Sequence, residues 1–459
     1  MKKKNLIIPI EIKSREIEGA INLANIALQK GWRVIIGQKQ QIWPFIKAFS
    51  PSFFYLKAIV PSDEQNLRII KDAKHCISTL DVEGLVLGRE PLGIVRRFSK
   101  ETIKLADLIF YWGSYQYEKV KRVFPQVKKK SIITGSPIVD SWKISSNKTF
   151  VKKDSKNILI SMNFARSDPK LSKIKYLVEK KTFGKLKLTK KQIKIFDNEY
   201  SLKKVSFEQF IQMTKYLAEN LKNYNIIVRP HPEEDIARYD LLKSYKNLIV
   251  DNHTNRVKQL KKSKIFIHFN STMSVQAKYF NNKVIMYNPI VDNKMLDVLS
   301  PVPINISANI TNLKDLISYI KKNKNIKNKL NFSKLLFNYD KKKSASKLII
   351  KSLDKYIKKN NLDLCKSHSG IYTSKGFFYF SKFKLNVFVA ILLSYLSIFI
   401  PVLRGKFSNR RYGSYMYKIK WPGLKQSELY NIFNDLDKKD DFEKKYTIKK
   451  HYSGFFIIE

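Results

Sequence analysis

Residues 226–233, Ile-Ile-Val-Arg-Pro-His-Pro-Glu, decide how the fold is interpreted. Three apolar residues are followed at once by an arginine and a histidine between two prolines, which is typical of a buried parallel strand that ends in a rigid loop. Ligands of open α/β sheets bind just beyond the carboxyl ends of strands. Arg229 and His231 in such a loop, with Pro232 fixing the backbone, suit a phosphate-bearing ligand. The alternative is a histidine in a tight loop without chemistry.

A second polar stretch follows the strand predicted at 264–268. Asn270, Ser271 and Thr272 precede a helix there, and hydroxyls with free backbone N–H groups at a helix start form an anion site. The alternative is an ordinary helix cap, which favours the same residue types. One strand–helix unit is predicted between this strand and the one at 226–229. The two strand ends are therefore predicted to be neighbours in a parallel sheet and to share one phosphate.

The chain begins with a βαβ pattern. Residues 6–10 and 33–37 read as buried strands, and apolar residues recur with a helical period over 17–28 between them. This order predicts a parallel sheet. No GxGxxG turn follows the first strand, so the dinucleotide-binding fingerprint is absent.

Two carboxylates follow a later strand of this first part. The strand predicted at 75–78 runs into Thr-Leu-Asp-Val-Glu-Gly at 79–84, which places Asp81 and Glu83 beside a glycine at the strand exit. A carboxylate in that position can act as a general base. A solvated turn with a helix cap explains the same residues without chemistry.

A polar, lysine-rich run at 141–156 reads as a linker between two domains. The strand pattern resumes at 157–161 and leads into Asn163. The sequence therefore predicts one domain at 1–140 and a second at 150–358.

The second domain contains a stretch of weak periodicity. Residues 170–205 are rich in lysine and predict an insertion or lid. Ser206 and Gln209 then match a capping box, which predicts that a helix begins there.

The composition limits the classes of partner. The 459-residue chain carries 88 Lys+Arg and 38 Asp+Glu, a formal net charge of +50, which favours nucleic acid or anionic membrane. Lys, Asn and Ile are abundant along the whole chain, so we expect no nucleic acid, and anionic lipid remains. Two cysteines without a CxxC motif exclude a disulfide framework and a Cys-based zinc site. The apolar run at the amino terminus is too short for a signal peptide.

Residues 365–459 form a basic tail around an apolar run at 387–403. The run is at the short end for a membrane span, which needs about 20 residues, and both of its flanks are positive. We predict a helix that lies on the membrane or re-enters it, with a buried core helix as the alternative and a true span third. A chain that ends near Asn360 is predicted to fold without the tail.

Five stretches together resemble the bacterial surface carbohydrate biosynthesis protein family, whose members are classed as GT-B glycosyltransferases. In order they are 8–16, 134–140, 161–165, 229–233 and 270–272. They spread over roughly the first three-quarters of the chain and leave the tail uncovered. More distantly, residues 81–84, 231–232 and 271–272 are similar to the three motifs of bacterial sialyltransferases and related capsule enzymes that use CMP-activated sugars.

The resemblance implies a GT-B-like α/β fold in which two Rossmann-like domains face each other across a cleft. It implies transfer of a sugar, with a CMP-sugar favoured, from a nucleotide-sugar in the second domain to a growing lipopolysaccharide or capsular chain in the first. The protein would work without metal or cofactor in the cytoplasm, at the inner face of the cytoplasmic membrane. Glu83 or Asp81 would be the base, and His231 would stabilise the departing phosphate. The residues implied for donor binding are Arg229, Pro232, Asn163, Asn270, Ser271, Thr272 and Gln276.

Two residues depart from these motifs. Val82 separates the carboxylates where the motif has adjacent acids, which leaves the choice between Asp81 and Glu83 open. Gln276 stands where many GT-B enzymes have a glutamate that contacts the donor ribose. A polyol-phosphate transferase and a sugar-nucleotide epimerase remain alternatives on the same architecture. A non-catalytic protein that binds anionic lipid or nucleic acid through its charge is the third alternative.

Overall fold

The structure, a computed structural model, describes residues 3–85, 92–148, 154–167, 190–232, 234–290, 299–322, 330–340, 342–364, 421–436 and 445–459. The chain divides into two compact units. The first comprises Met1–Gly84, Ile94–Ile144 and Phe332–Glu459, and the second comprises Leu85–Gly93 and Ser145–Asn331. Each unit is built on one sheet whose parallel strands are connected through helices. The predicted α/β class with two Rossmann-like domains is confirmed.

The first unit contains an eight-stranded sheet. Its strands are β1 (Lys4–Ile10), β2 (Trp32–Gln38), β3 (Phe53–Leu56), β4 (Cys76–Leu80), β5 (Leu108–Tyr111), β6 (Ser131–Ile133), β13 (Ile448–Lys450) and β14 (Phe456–Ile458). Their order across the sheet is β13-β14-β2-β1-β3-β4-β5-β6. Strands β1 to β6 are parallel, while β14 runs antiparallel to β2. Because β1 and β2 are buried on both faces, they read as continuous apolar runs in the sequence.

The α-helices connect and cover these strands. In chain order they are α1 (Lys13–Gln29), α2 (Lys39–Ile42), α3 (Glu64–Asp72), α4 (Leu92–Val95), α5 (Lys100–Leu105), α6 (Ser114–Val123), α7 (Pro137–Lys148), α8 (Lys190–Asn220), α9 (Arg256–Lys262), α10 (Met273–Tyr279), α11 (Pro301–Ile306), α12 (Leu313–Lys321), α13 (Phe332–Leu335), α14 (Ala345–Lys359) and α15 (Gln426–Leu436). Helix α1 buries Ile17, Ile21 and Leu28, so the helix predicted from the apolar period over 17–28 is confirmed.

The second unit contains a six-stranded parallel sheet. Its strands are β7 (Asp154–Ser161), β8 (Asn225–Arg229), β9 (Leu248–Val250), β10 (Ser263–His268), β11 (Lys283–Tyr287) and β12 (Ala308–Ile310), in the order β12-β11-β10-β7-β8-β9. Apolar residues of β7, β8 and β10, such as Ile160, Val228 and Ile267, pack with Phe210 of α8 in one core. The predicted strands at 157–161 and 226–229 are therefore confirmed as central strands.

In the second unit one predicted helix start is wrong and one strand was missed. Helix α8 begins at Lys190, so Ser206 lies in the middle of a long helix and is fully buried instead of capping its start. Strand β9 was missed because it has only three residues, Leu248–Val250, of which Ile249 is 56% exposed. Such a short edge strand carries neither a long apolar run nor a clear alternation.

The end of the chain returns to the first unit. Phe456, Ile457 and Ile458 of β14 pair with Ile36, Ile35 and Val34 of β2. A Cβ at Gly37 would lie 2.6 Å from the Cβ of Phe455, so only glycine allows this close approach. The predicted boundary at 358 and the separate tail at 365–459 therefore differ from the structure, in which 332–364 and the described parts of 421–459 belong to the first unit.

The apolar run at 387–403 lies outside the described residues. Among the residues that are described, no helix is long and apolar enough to cross a membrane.

Residues 134–140 connect two segments of the first unit through hydrogen bonds. Asn338 donates to the backbone oxygen of Ser136 (3.0 Å) and to Oδ1 of Asp140 (2.7 Å), and it accepts from the Ser136 N–H (3.2 Å). Gly135 has a φ of +81°, and a Cβ there would lie 2.1 Å from Oδ1 of Asn338. Asp140 also accepts from the backbone N–H groups of Ala345 and Ser346 at the start of α14. Residues 134–140 therefore have a structural role, because they hold α14 against the other segments of the first unit.

Candidate functional site

The strongest candidate site is the carboxyl edge of the second sheet, where four neighbouring strands end in one row. The register places four residues side by side at this edge: Met286 of β11, His268 of β10, Ser161 of β7 and Arg229 of β8. The residue two positions beyond each of these is polar: Asn288, Asn270, Asn163 and His231. Parallel strands bring their carboxyl ends to the same edge, so three amides and an imidazole follow one another along it.

The chain changes direction at the centre of this row. From β7 it runs through β8 and β9 to one side, and it then crosses to β10 on the other side of β7. The switch point of the sheet therefore lies between β7 and β10, and ligands of open α/β sheets bind outside the strands at such a point. Asn163 and Asn270 flank it.

The prediction that the exits of β8 and β10 are neighbours is wrong. Strand β7 pairs with both of them and separates them, so their ends are roughly 10 Å apart at the usual strand spacing. The error follows from counting elements along the chain, since β10 is not placed beside β8 but across β7. A ligand that touches both His231 and Ser271 has to pass over Asn163.

The histidine loop is fixed by a buried carboxylate that sequence reasoning missed. Glu234 accepts from the Tyr239 hydroxyl, from the backbone N–H of Phe164 and, at 3.3 Å, from the backbone N–H of His231. Burial raises the pKa of Glu234 above its ordinary value, although the hydrogen bonds from Tyr239 and Phe164 offset part of that effect. Glu234 thus ties the loop after β8 to the loop after β7. Pro232 is exposed at the tip of the loop.

Replacing Glu234 by alanine is expected to lower the free energy of unfolding by roughly 2–4 kcal/mol, because it leaves buried donors of Phe164 and Tyr239 without their acceptor. Denaturant unfolding measures this loss. Tyr239→Phe is the matched control, since it removes one donor and keeps the packing, and about 1 kcal/mol is expected. An alanine variant as stable as the wild type would show that Glu234 does not hold the loop.

Arg229 is oriented toward the loop that precedes α9. Its Nη1 donates to the backbone oxygen of Thr254 (2.8 Å) and to Oε1 of Gln259 (2.6 Å). Burial and the neighbouring Arg256 lower the pKa of Arg229 to about 10, which leaves it a cation at neutral pH. The structure thus places its charge beside Thr254 and Gln259.

The loop after β10 is held by His268. The Ser307 hydroxyl donates to the Pro303 oxygen (2.6 Å), so it accepts from Nε2–H of His268 (2.9 Å), and Nδ1 of His268 accepts from the Ser271 N–H (3.1 Å). Burial lowers the pKa of His268 to about 3, which agrees with this neutral imidazole. Asn270, at a φ of +43°, donates to the Ser300 oxygen and accepts from the Ser300 N–H.

These contacts argue against the prediction that Ser271 and Thr272 form an open anion site. The Ser271 N–H is bonded to His268, and the Met273 N–H donates to the Ser271 hydroxyl (3.3 Å). Thr272 precedes α10 without a side-chain cap bond, and α10 has only seven residues. Gln276 is 2% exposed, and within the described residues its Nε2 has no hydrogen-bond partner. The helix start therefore offers fewer free donors than the sequence suggested.

A lysine at the switch point also escaped sequence reasoning. Lys203 of α8 is 8% exposed, and its Nζ donates to the Asn163 oxygen at 2.9 Å. The same Nζ lies 5.0 Å from the ring centroid of Phe269 and 5.7 Å from that of Phe164. The lysine was hidden in a lysine-rich stretch interpreted as a lid. The sequence did contain a signal for Asn288, because this residue follows its strand at the same spacing as Asn163 and Asn270.

The carboxylates of the first unit form a charge cluster with two arginines. Both oxygens of Asp81 accept from Arg97, with Nε to Oδ2 at 2.8 Å, and the Asp81 side chain is 2% exposed. Glu83 accepts from Arg15 through Oε1 and from Arg97 at 3.0 Å through Oε2, and its side chain is 35% exposed. Arg97 lies fourteen residues beyond Glu83, and nothing in the local pattern marks it as the partner.

The cluster affects the predicted base. Burial alone would raise the pKa of Glu83, but Arg15, Arg97 and Lys57 outweigh it and lower the pKa to about 2. A general base works best with a pKa near the working pH. In this state Glu83 is ionised but accepts a proton weakly, and Asp81 is enclosed by its arginine. The geometry therefore gives the base role no direct support, and Glu83 is the more accessible of the two carboxylates.

Comparisons with known proteins give similarity of fold at low sequence identity. No family model matches the chain, and no curated protein gives a significant match. A structure of S. aureus MnaA with UDP has 13% identity and a TM-score of 0.47, covering 78% of this chain and 97% of its own. UDP-GlcNAc 2-epimerase from Neisseria meningitidis bound to UDP-GlcNAc has 14% identity and a TM-score of 0.44, covering 77% of this chain and 100% of its own.

A third similar structure is the wall teichoic acid polymerase TagF with CDPG. It has 12% identity and a TM-score of 0.43, and it covers 79% of this chain and 90% of its own. At these identities and TM-scores the similarities assign neither a substrate nor a reaction to this chain. The site is therefore argued from its own residues.

Proposed function

We propose that this chain is a glycosyltransferase that moves a sugar from a nucleotide-sugar to a growing surface polysaccharide. The observation that carries the proposal is the row of Asn288, Asn270, Asn163 and His231 along the carboxyl edge of the second sheet. Amides and an imidazole bind the hydroxyls and phosphate oxygens of a nucleotide by hydrogen bonds. Because the Asn270 amide is already bonded to Ser300, this role falls to Asn288, Asn163 and His231. The second unit is thus proposed to bind the donor, and the first unit the acceptor.

The same edge supplies what a departing phosphate needs. Fixed donors aimed at developing negative charge stabilise a transition state without reorganisation. The backbone N–H of His231 donates to Glu234, which holds the loop in place, and Arg229 ends the strand that leads into this loop. A CMP-sugar is the favoured donor because of the resemblance of residues 231–232 and 271–272 to CMP-sugar enzymes, and a UDP-sugar is the second choice.

The proposed acceptor is a lipopolysaccharide or capsular chain at the inner face of the cytoplasmic membrane. The formal net charge of +50 supports this location, since basic surfaces are attracted to anionic lipid. Within this proposal Glu83 is the base. Because its pKa is about 2 in the present arrangement, the acceptor has to draw Arg15 or Arg97 away from the carboxylate before Glu83 can accept a proton effectively.

A donor labelled at two positions tests the reaction type. The sugar carbons carry one label, and the phosphorus atom bonded to the sugar carries another. Glycosyl transfer to membrane-derived acceptor moves the carbon label into polymer and leaves the phosphorus label on the released nucleotide. Movement of both labels would identify a polyol-phosphate-type transferase, and a changed sugar without any transfer would identify an epimerase. Either result would overturn the proposal.

Glu83→Gln tests the base in the same assay. We expect kcat to fall by roughly 10²–10⁴-fold, while the affinity for the donor stays within a few-fold, because a base acts on the acceptor. Glu118→Gln is the matched control, since this carboxylate of the same unit is 54% exposed and pairs only with the nearby Lys121 in the described structure. Full turnover in Glu83→Gln with loss of activity in Asp81→Asn would move the base to Asp81, and full turnover in both variants would show that the Asp81–Glu83 cluster is structural.

A further inference from the structure

We propose that Lys203 binds the phosphate of the ligand at the switch point of the second sheet, an inference that deepens the proposed function and rests on it. Lys203 stands on α8, forty residues after Asn163, and was not among the residues implied by any motif. Its assignment depends on where the fold brings its ammonium group.

The ammonium group lies between the two strand exits that define the switch point. Nζ donates to the backbone oxygen of Asn163, the second residue after β7. It also lies 5.0 Å from the ring of Phe269, which directly follows β10. Strands β7 and β10 are neighbours with the chain crossing between them. The position of Nζ is therefore the place where an open α/β sheet binds its ligand.

The aromatic rings fix this position. Phe164 and Phe269 stack with centroids 5.8 Å apart and planes 27° from parallel. The ammonium group lies close to both rings, and ring faces attract a cation through their quadrupole. The long, flexible side chain of Lys203 is thereby held with little conformational freedom. A fixed cation loses less entropy when it binds an anion than a mobile surface lysine does.

A lysine is suited to phosphate for a chemical reason. Its ammonium group is a compact charge with three donors, which binds phosphate oxygens without a fixed bidentate geometry. His231 lies one strand away, beyond Asn163. Lys203 and His231 therefore flank the Asn163 position from two sides, and the phosphate of a nucleotide lying along the edge is placed next to Lys203.

Titration calorimetry on the full chain tests the proposal with UDP, CMP, pyrophosphate, uridine and cytidine as probes. Lys203→Met is expected to weaken binding of the preferred nucleotide by about tenfold or more, since a charge-assisted contact is lost. Binding of the matching nucleoside should change by less than about twofold, because it carries no phosphate. Lys203→Arg keeps the charge and should retain most of the affinity.

The adjacent Lys204→Met is the matched control, because Lys204 is exposed on the same helix and its removal should leave all affinities unchanged. Methionine replaces lysine with little change in shape, so Lys203→Met is expected to keep the wild-type unfolding midpoint. Equal nucleotide affinity in Lys203→Met and wild type would overturn the inference and leave the proposed function standing. Pyrophosphate binding that depends on Lys203, without any nucleotide preference, would support the inference and overturn the proposed function. Wild-type protein that binds none of the probes would overturn both.

Discussion

Replacing Phe456 by alanine is expected to lower the free energy of unfolding of the first unit by about 3–5 kcal/mol, the range for removing a fully buried phenylalanine. Phe456 is 0% exposed and pairs with Ile36 of β2 in the interior of the sheet. Denaturant titration, with amide hydrogen exchange of β2 as the local measure, reports this loss. Lys449→Ala on the neighbouring strand is the control, because its side chain is 65% exposed and little change is expected.

The same contact revises the expectation for a shortened chain. A chain that ends near Asn360 loses β14, whose pairing covers the edge of β2, together with buried residues such as Phe433 and Phe455. Exposed edge strands and apolar surface promote aggregation. We therefore expect this chain to aggregate or remain unfolded. A shortened chain with the wild-type unfolding midpoint would show that β13 and β14 contribute nothing to the stability of the first unit.

The second large effect is expected at Asp140. Asp140→Ala should cost about 3–5 kcal/mol, because several buried donors lose their acceptor at once. These donors are Nδ2 of Asn338, the hydroxyls of Ser344 and Ser346, and the backbone N–H groups of Ala345 and Ser346. The carboxylate also lies at the start of α14, where the helix dipole favours negative charge.

A carboxylate in the first turn of another helix provides the comparison for Asp140. Asp315 of α12 is exposed and accepts from Asn312 at the start of its helix. Asp315→Ala should cost less than about 1 kcal/mol, as for a solvent-exposed charge at a helix start. Equal losses in the two variants, measured by denaturant unfolding, would show that burial of the Asp140 network adds nothing.

Much of the second sheet could be predicted from the sequence because its central strands are buried on both faces. The run at 226–229 and the polar residues that follow it directly marked the strand exit correctly. The positions of Asn163, Asn270 and His231 after strand ends could be predicted for the same reason, since each follows a clear apolar strand. The order of the strands was harder to predict, because no local sequence pattern indicates that the chain crosses over β7.

The partners of the candidate site residues could not be predicted, because they depend on contacts between distant segments. Arg97 faces Asp81 and Glu83 from a separate short segment, and Lys203 approaches Asn163 from a long helix. Charge patterns report which residues are ionic but not which pairs meet. The low pKa of Glu83, which weakens its role as a base, follows from these unseen arginines.

The most direct test of the central claim is nucleotide binding by the full chain. Thermal unfolding is measured with CMP, CDP, UMP, UDP, GDP and ADP, because a ligand that binds only the folded state stabilises it by about 2.7 kcal/mol at a hundredfold excess over its dissociation constant. We predict that CMP gives the largest shift and UDP the second largest.

Two histidine variants complete this measurement. His231→Ala should remove much of the shift, whereas His253→Ala, which changes an exposed histidine of the same unit, should leave it intact. A larger shift with UDP than with CMP would leave the transferase proposal standing and change the proposed donor to a UDP-sugar. Shifts that show no preference among nucleotides, follow phosphate charge alone and disappear with salt would contradict the claim that the carboxyl edge of the second sheet is a nucleotide-sugar site.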